Sequence, residues 1–336
     1  MKRVNRKEVI KLLNDLKIDK NKYIVLSSGA LVLRGILDDA GDLDLAVDEE
    51  TFNELNKKYD LIKRGSNWYR LNDRYEFVID DSVKYENIDS FNVQDIHEYL
   101  DYLNSSDRLK DKERIPLVKD YIKTSDLVNK TLLYVEEFFS NDFSGHDFYH
   151  TLRVYNLARN ISYNIECDRE LVYLASLLHD VDDYKLVGKQ EERFINAKTF
   201  LKKNNYPQDR IDMICHIISQ VSFKGSDSVT PDTIEGKIVQ DADRLDALGA
   251  IGIARTFAFG GNHNSPMHIP GTKFNFNMNS DEYYNTTRTS INHFYEKLLL
   301  LKDMMNTDEA KRIALHRHKY MEKYLEEFYK EWDGLL

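Results

Sequence analysis

The chain has 336 residues, enough for two domains, and 42% of them are hydrophobic and 31% charged. That balance belongs to a globular protein rather than a disordered one. A formal net charge of -10 argues against broad, sequence-independent nucleic-acid binding, which depends on phosphate neutralisation by Lys and Arg, but leaves room for a small phosphorylated ligand at a locally positive site.

In chain order, residues 1–20 read as a helix, with Val9, Leu12, Leu13 and Leu16 at helical spacing. Tyr23-Ile24-Val25-Leu26 reads as a short strand ending at Ser27-Ser28-Gly29, and Ala30 to Arg34 restarts as a helix. Asp42-Leu43-Asp44-Leu45-Ala46-Val47 alternates acid and apolar, the pattern of a half-buried strand. Thr51 to Tyr59 is a helix, and Trp68 to Leu71 with Tyr75 to Ile79 form a hairpin turning at Asn72-Asp73-Arg74. From Val93 onward the pattern is almost wholly helical, with helices over 93–103 and 107–122. A capping signal at Lys123-Thr124-Ser125-Asp126 places a boundary between residues 1–123 and 124–336. The expected fold class is α+β: a small α/β domain followed by an all-α helical bundle. Phe259 to Asp281, rich in Gly, Asn and Pro, is the one long irregular stretch. There is no apolar core of signal-peptide type at the N-terminus and no apolar run approaching roughly 18 residues, so the chain reads as cytoplasmic with no membrane partner. Cys167 and Cys215 read as buried thiols of a reducing compartment.

Four residues carry most of the chemistry. His150 lies in His146-Asp147-Phe148-Tyr149-His150-Thr151-Leu152-Arg153-Val154, His179 and Asp180 follow Leu177-Leu178, and Asp243 lies in Asp241-Ala242-Asp243-Arg244-Leu245-Asp246-Ala247. Two imidazoles and two carboxylates suit a divalent transition metal that keeps open positions for water and substrate. A helix over Arg169 to Leu178 delivers His179 and Asp180 at its end. Adjacent helical residues point about a hundred degrees apart, so both reach one ion only near a helix end. Asp243 is expected on a third helix, 235–254. His146, four residues before His150, shares its face if helical.

Residues 124–336 resemble the HD-domain metal-dependent phosphohydrolases. The resemblance rests on His-x-x-Arg-Val, then Leu-Leu-His-Asp, then the run Asp241 to Arg255. It implies that His150, His179, Asp180 and Asp243 hold the metal, which could be Mn, Co, Ni, Zn, Fe or Mg. Asp243 is preferred over Asp241 because it fills the acid position before Arg, and Asp246 could orient Asp243 or Arg244. By the same resemblance an acid just past the His-Asp pair assists catalysis alongside Asp180, and Asp183 is favoured over Asp182. Arg153, Lys185, Lys224 and Arg255 are candidate phosphate contacts, and His216 a substrate contact or extra ligand. Arg244 and Lys237 read as surface charges or salt-bridge partners, and His263 and His268 as loop residues.

Residues 23–81 resemble the nucleotidyltransferase fold, through Ser28-Gly29-Ala30-Leu31-Val32-Leu33-Arg34-Gly35 and Gly41-Asp42-Leu43-Asp44-Leu45. The resemblance implies an acid pair, Asp42 and Asp44, able to hold magnesium, with Glu76 as third acid and Asp80 behind it. Ala30 stands where the family has serine. The expected function is divalent-metal-dependent hydrolysis of a nucleotide or similar small phosphorylated compound, in a chain that could self-associate. The alternatives are nucleotidyl transfer through Asp42 and Asp44, with the HD domain accessory, or nucleotide binding without turnover.

Overall fold

The computed structural model describes residues 3–140, 147–163, 165–183, 193–223, 228–275 and 289–336. The chain forms two units, Met1–Asp126 and Leu127–Leu336.

The first unit is built on a mixed sheet. Its helices are α1 (Arg6–Asp15), α2 (Ser27–Leu33), α3 (Glu49–Lys58) and α4 (Ile96–Ser105). β1 (Val4–Asn5) pairs with β3 (Asp39–Ala40) as a separate ribbon. The remaining strands are β2 (Ile24–Val25), β4 (Leu43–Val47), β5 (Ile62–Lys63), β6 (Trp68–Arg70), β7 (Tyr75–Ile79), β8 (Tyr85–Ile88) and β9 (Phe91–Gln94). They order as β5-β6-β7-β4-β2-β9-β8, with β4·β7 and β2·β9 parallel. Leu43, Leu45 and Phe77 lie fully buried on one side, as the alternating pattern requires. Asn5 and Glu8 close a capping box on α1, and Asp48 caps α3 through the Thr51 amide.

The second hairpin, β8–β9, lies partly where a helix from Val93 was expected. Its turn residues Asp89 and Ser90 both have positive φ, 51° and 69°. Without a glycine the turn carries little sequence signal. Asp95 then caps α4 through the His97 and Glu98 amides.

The expected helix break at 123–126 is absent. One helix, α5, runs from Leu109 to Phe138, and the division between units falls inside it. The three-to-four spacing through Val118, Ile122, Ser125, Val128, Thr131 and Val135 never leaves phase, so the polar residues at 124–126 sit in a helix rather than at its start.

The second unit is helical: α6 (Phe148–Ser162), α7 (Arg169–Leu178), α8 (Ile195–Lys203), α9 (Gln208–Ser219), α10 (Ile234–Asp246), α11 (Gly249–Asn262), α12 (Ser290–Glu296) and α13 (Asp308–Trp332). Its core joins Val154, Ala158 and Ile161 of α6 to Leu171, Leu174 and Leu178 of α7 and to Ile238, Ala242 and Leu245 of α10. The helix expected over 235–254 is two helices. Gly249 takes φ +73°, and a Cβ there would meet the Arg317 side chain at 3.1 Å, so the chain breaks where only glycine is relaxed. α11 then runs to Asn262, past the expected start of the irregular stretch. No helix among the described residues is long and apolar enough to cross a membrane.

Asp241 ties α10 to the start of α13. Its buried carboxylate accepts from the backbone amide and Nδ2 of Asn306, at 2.8 and 2.9 Å, and from the amide and Oγ1 of Thr307, both at 2.8 Å. Burial pushes its pKa up, against those bonds. Asp241→Ala leaves several buried donors without an acceptor and should cost about 3 kcal/mol or more. The shift in urea midpoint measures it, and a shift within error would refute this role.

Candidate metal centre

Asp147 starts α6, accepting from the His150 amide at 2.7 Å. That fixes the phase of the helix, and His150 joins Thr151, Val154 and Ala158 on its buried face. α7 buries Leu171, Val172, Leu174, Ala175, Leu177 and Leu178, and His179 is its C-cap. The pair therefore sits at a helix end, the position from which adjacent side chains can converge. α10 packs on both helices and carries Asp243 and Asp246, one turn apart on the same face.

His150 Nδ1 lies 2.8 Å from Asp246 Oδ2, and His179 Nδ1 lies 2.8 Å from the Ser176 carbonyl oxygen. Both partners accept only, which assigns the hydrogen to Nδ1 and, in the neutral rings, the lone pair to Nε2. Both Nε2 atoms lie 3.3 Å from Asp180 Oδ2. Asp243 Oδ1 is 3.5 Å from His150 Nε2 and 3.9 Å from His179 Nε2. Four electron-rich atoms thus converge in a largely buried space, an arrangement that positive charge between them stabilises. Ligand atoms of His150, His179 and Asp180 fall within 4.8 Å of one another, the only such trio among the described residues. Burial works against charging either ring. Hydrogen bonds to Asp180 and Asp246 nevertheless raise the His150 pKa, and Asp180 and Asp243 lift His179 to about 9. The carboxylates favour a cation strongly enough to overcome desolvation.

Asp246 organises the surroundings. It is fully buried and takes His150 Nδ1, Arg153 Nε at 2.7 Å, Arg153 Nη2 at 3.0 Å and Arg255 Nη1 at 2.6 Å. Burial opposes its charge, but these partners hold its carboxyl well below the usual carboxylate range. Sequence reasoning had linked Asp246 to Asp243 or Arg244. The structure gives it His150 and the two arginines instead. Arg153 and Arg255, expected as phosphate contacts, are placed beside the cluster and paired with Asp246. Their two charges balance Asp246 and do not outweigh it together with Asp180 and Asp243, so the cluster itself keeps an excess of carboxylate.

Other expected residues lie elsewhere. His216 Nε2 is 2.9 Å from both oxygens of Asp232, at the surface. His263 stacks on Phe259 at 3.8 Å, and His268 lies edge-on to Trp332 at 4.9 Å. Arg244 is not a surface charge: it is 5% exposed, with Nη1 on the Met304 carbonyl oxygen at 2.5 Å, because α10 turns that face into the bundle. Asp183 follows the His179-Asp180 pair in a tight turn closed by its amide on the Asp180 carbonyl oxygen at 3.0 Å. His146, Lys185 and Lys224 lie outside the described residues.

In the first unit, Asp44 and Glu76 are register partners on adjacent strands. Burial, then Asp42 and Glu76, push the Asp44 carboxyl up to about 6. The Glu76 carboxylate, however, is paired with Arg70 at 2.5 Å.

An HD-domain family model matches residues 147–248, spanning His150, His179, Asp180 and Asp243. The uncharacterised Bacillus subtilis protein YpgQ is 35% identical over 204 residues, covering 60% of this chain and 92% of YpgQ. The chain belongs to the HD-domain family. A Lactobacillus plantarum structure matches this HD protein with a TM-score of 0.56 at 34% identity, covering 62% of this chain and 98% of that one. A Bacillus thuringiensis structure described as an HD-superfamily hydrolase is 40% identical, with a TM-score of 0.49 and coverages of 62% and 98%. YpgQ has also been crystallised in complex with ADP. An HD domain implies a divalent metal, and the converging donors of this HD protein fit one.

If Asp246 orients His150 as an Nε2 donor, Asp246→Asn should weaken Mn2+ binding by roughly 10- to 100-fold. Titration calorimetry reads this directly. Unchanged affinity would show that His150 needs no such support.

Proposed function

We propose that the second unit is a divalent-metal-dependent phosphohydrolase acting on a nucleotide or similar small phosphorylated compound. The observation that carries this is the meeting of two imidazole Nε2 atoms with the Asp180 and Asp243 carboxylates at 3.3–3.9 Å. His150, His179, Asp180 and Asp243 would hold the ion. When bound, such an ion supplies Lewis acidity, making water nucleophilic near neutral pH and drawing charge from a phosphoryl oxygen. His150 and His179 present fixed lone pairs because Asp246 and the Ser176 carbonyl hold their Nδ1 hydrogens. Asp183, three residues past Asp180 on the same turn, is the acid we assign to proton transfer. With the ion bound to offset the carboxylates, Arg153 and Arg255 are the side chains we assign to phosphate contact.

The alternative, nucleotidyl transfer through Asp42 and Asp44, has weaker support. Its third acid, Glu76, is tied to Arg70, and a carboxylate already paired with a guanidinium is a poorer metal ligand. Nucleotide binding without turnover in the first unit remains compatible with the raised Asp44 carboxyl.

The test is a screen of nucleoside mono-, di- and triphosphates with Mn2+, Co2+, Ni2+, Zn2+, Fe2+ and Mg2+, reading phosphate and pyrophosphate. ADP is tried first, since the relative YpgQ takes it up in a crystal. Activity should be metal-dependent and fall by about a thousandfold or more in His179→Ala and Asp180→Ala, with the circular dichroism spectrum unchanged. Hydrolysis that persists in both variants would contradict the assignment. Transfer lost in Asp44→Ala but kept in His179→Ala would favour the alternative.

A further inference from the structure

The two acids after the His-Asp pair do different work. α8 begins without a cap of its own: its N-cap position is Phe194, held at φ 61° and ψ 37°, with no side-chain cap bond. The first N–H groups of a helix have no partner within it. Here Asp182, from another segment, supplies the acceptor. Its Oδ1 accepts from the Asn196 amide at 2.9 Å and its Oδ2 from the Ala197 amide at 3.0 Å. The negative charge also sits favourably at the positive end of the helix. The contact is returned, since Asn196 Nδ2 donates to the Val181 carbonyl oxygen at 2.8 Å. Val181 is fully buried, and α8 is anchored below by Ala197 and Leu201, both 0% exposed. Phe200 stacks on Tyr134 at 4.4 Å. The clasp therefore joins a packed helix to the two residues directly after Asp180.

The geometry points to Asp182 and Asn196 as a positioning pair that fixes the turn carrying Asp180 and Asp183. Three bonds hold residues 181 and 182, and the Asp183 amide on the Asp180 carbonyl closes the turn around them. The backbone of residue 180 is thereby set from both sides, by α7 before it and by the clasp after it. Preorganised ligands bind a metal more tightly because less ordering remains to be done on binding. The same commitment removes Asp182 from proton transfer and leaves that role to its neighbour. This role rests on the metal site proposed above.

The experiment is Mn2+ titration calorimetry on the full chain, at a temperature where circular dichroism shows each variant folded. Asp182→Ala should lower Mn2+ affinity roughly 10- to 100-fold. Asp182→Asn keeps one acceptor oxygen and should recover part of the loss. Asn196→Ala keeps the cap, deletes only the return bond and should cost about fivefold. A pair that served stability alone would lower the unfolding midpoint and leave the Mn2+ affinity of the folded protein at the wild-type value, which overturns the proposal. If Asp182→Ala does not fold, Asn196→Ala decides, and wild-type affinity there is the refuting result. A wild-type chain that takes up no Mn2+ removes the metal site itself and this role with it.

Discussion

Everything at the centre of the helical unit depends on the buried Asp246 carboxylate and the hydrogen it receives from His150. A buried carboxylate is costly unless paired, and here an imidazole and two guanidiniums pair it. In return it turns the His150 lone pair towards Asp180 and Asp243. The Ser176 carbonyl does the same for His179, from the last turn of α7. In their neutral form the two rings therefore carry the Nδ1 hydrogen on the outside and the Nε2 lone pair inside. Such preorganisation separates a metal site from a chance cluster of polar groups.

Each helix contributes through its termination or phase as much as through its apolar face. α6 is phased by the Asp147 cap, α7 ends at His179, and α10 stops before Gly249. The stop lets α10 present Asp243 and Asp246 on one face while Asp241, on another, anchors α13. Three acids in six residues thus have three duties. One faces the proposed ion, one orients His150 and one holds the fold.

Much of this was legible in the residues. The helical order of the second unit and the helix-end position of the His-Asp pair followed from apolar spacing and from the geometry of adjacent side chains, whereas the set His150, His179, Asp180 and Asp243 rested on residue type and on the HD resemblance. Strand alternation put Asp42 and Asp44 on one face of β4, but the register that sets Asp44 beside Glu76 was not in the pattern. What was hidden has a common cause: the partner lies far away in sequence. Nothing in the local pattern shows that Asp241 meets Asn306 and Thr307, that Asp182 caps a helix starting at Ile195, or that Arg70 occupies Glu76. Arg153 and Arg255 were recognised as basic groups near the motifs, but their shared carboxylate was not. Local misreadings had local reasons. The Asp89-Ser90 turn lacks glycine, and the polar run at 124–126 mimics a cap inside a continuous apolar repeat. The one-turn spacing of Asp243 and Asp246 suggested a support for Asp243, but the carboxylate of Asp246 goes to His150 and the two arginines.

The most direct test of the account is diffraction from crystals grown with Mn2+, collected at the manganese absorption edge. The account predicts an anomalous peak between the Nε2 atoms of His150 and His179 and the carboxylates of Asp180 and Asp243, at roughly 2.0–2.3 Å from each. No peak at that point, or a manganese bound by other side chains while these four stay paired among themselves, would contradict it.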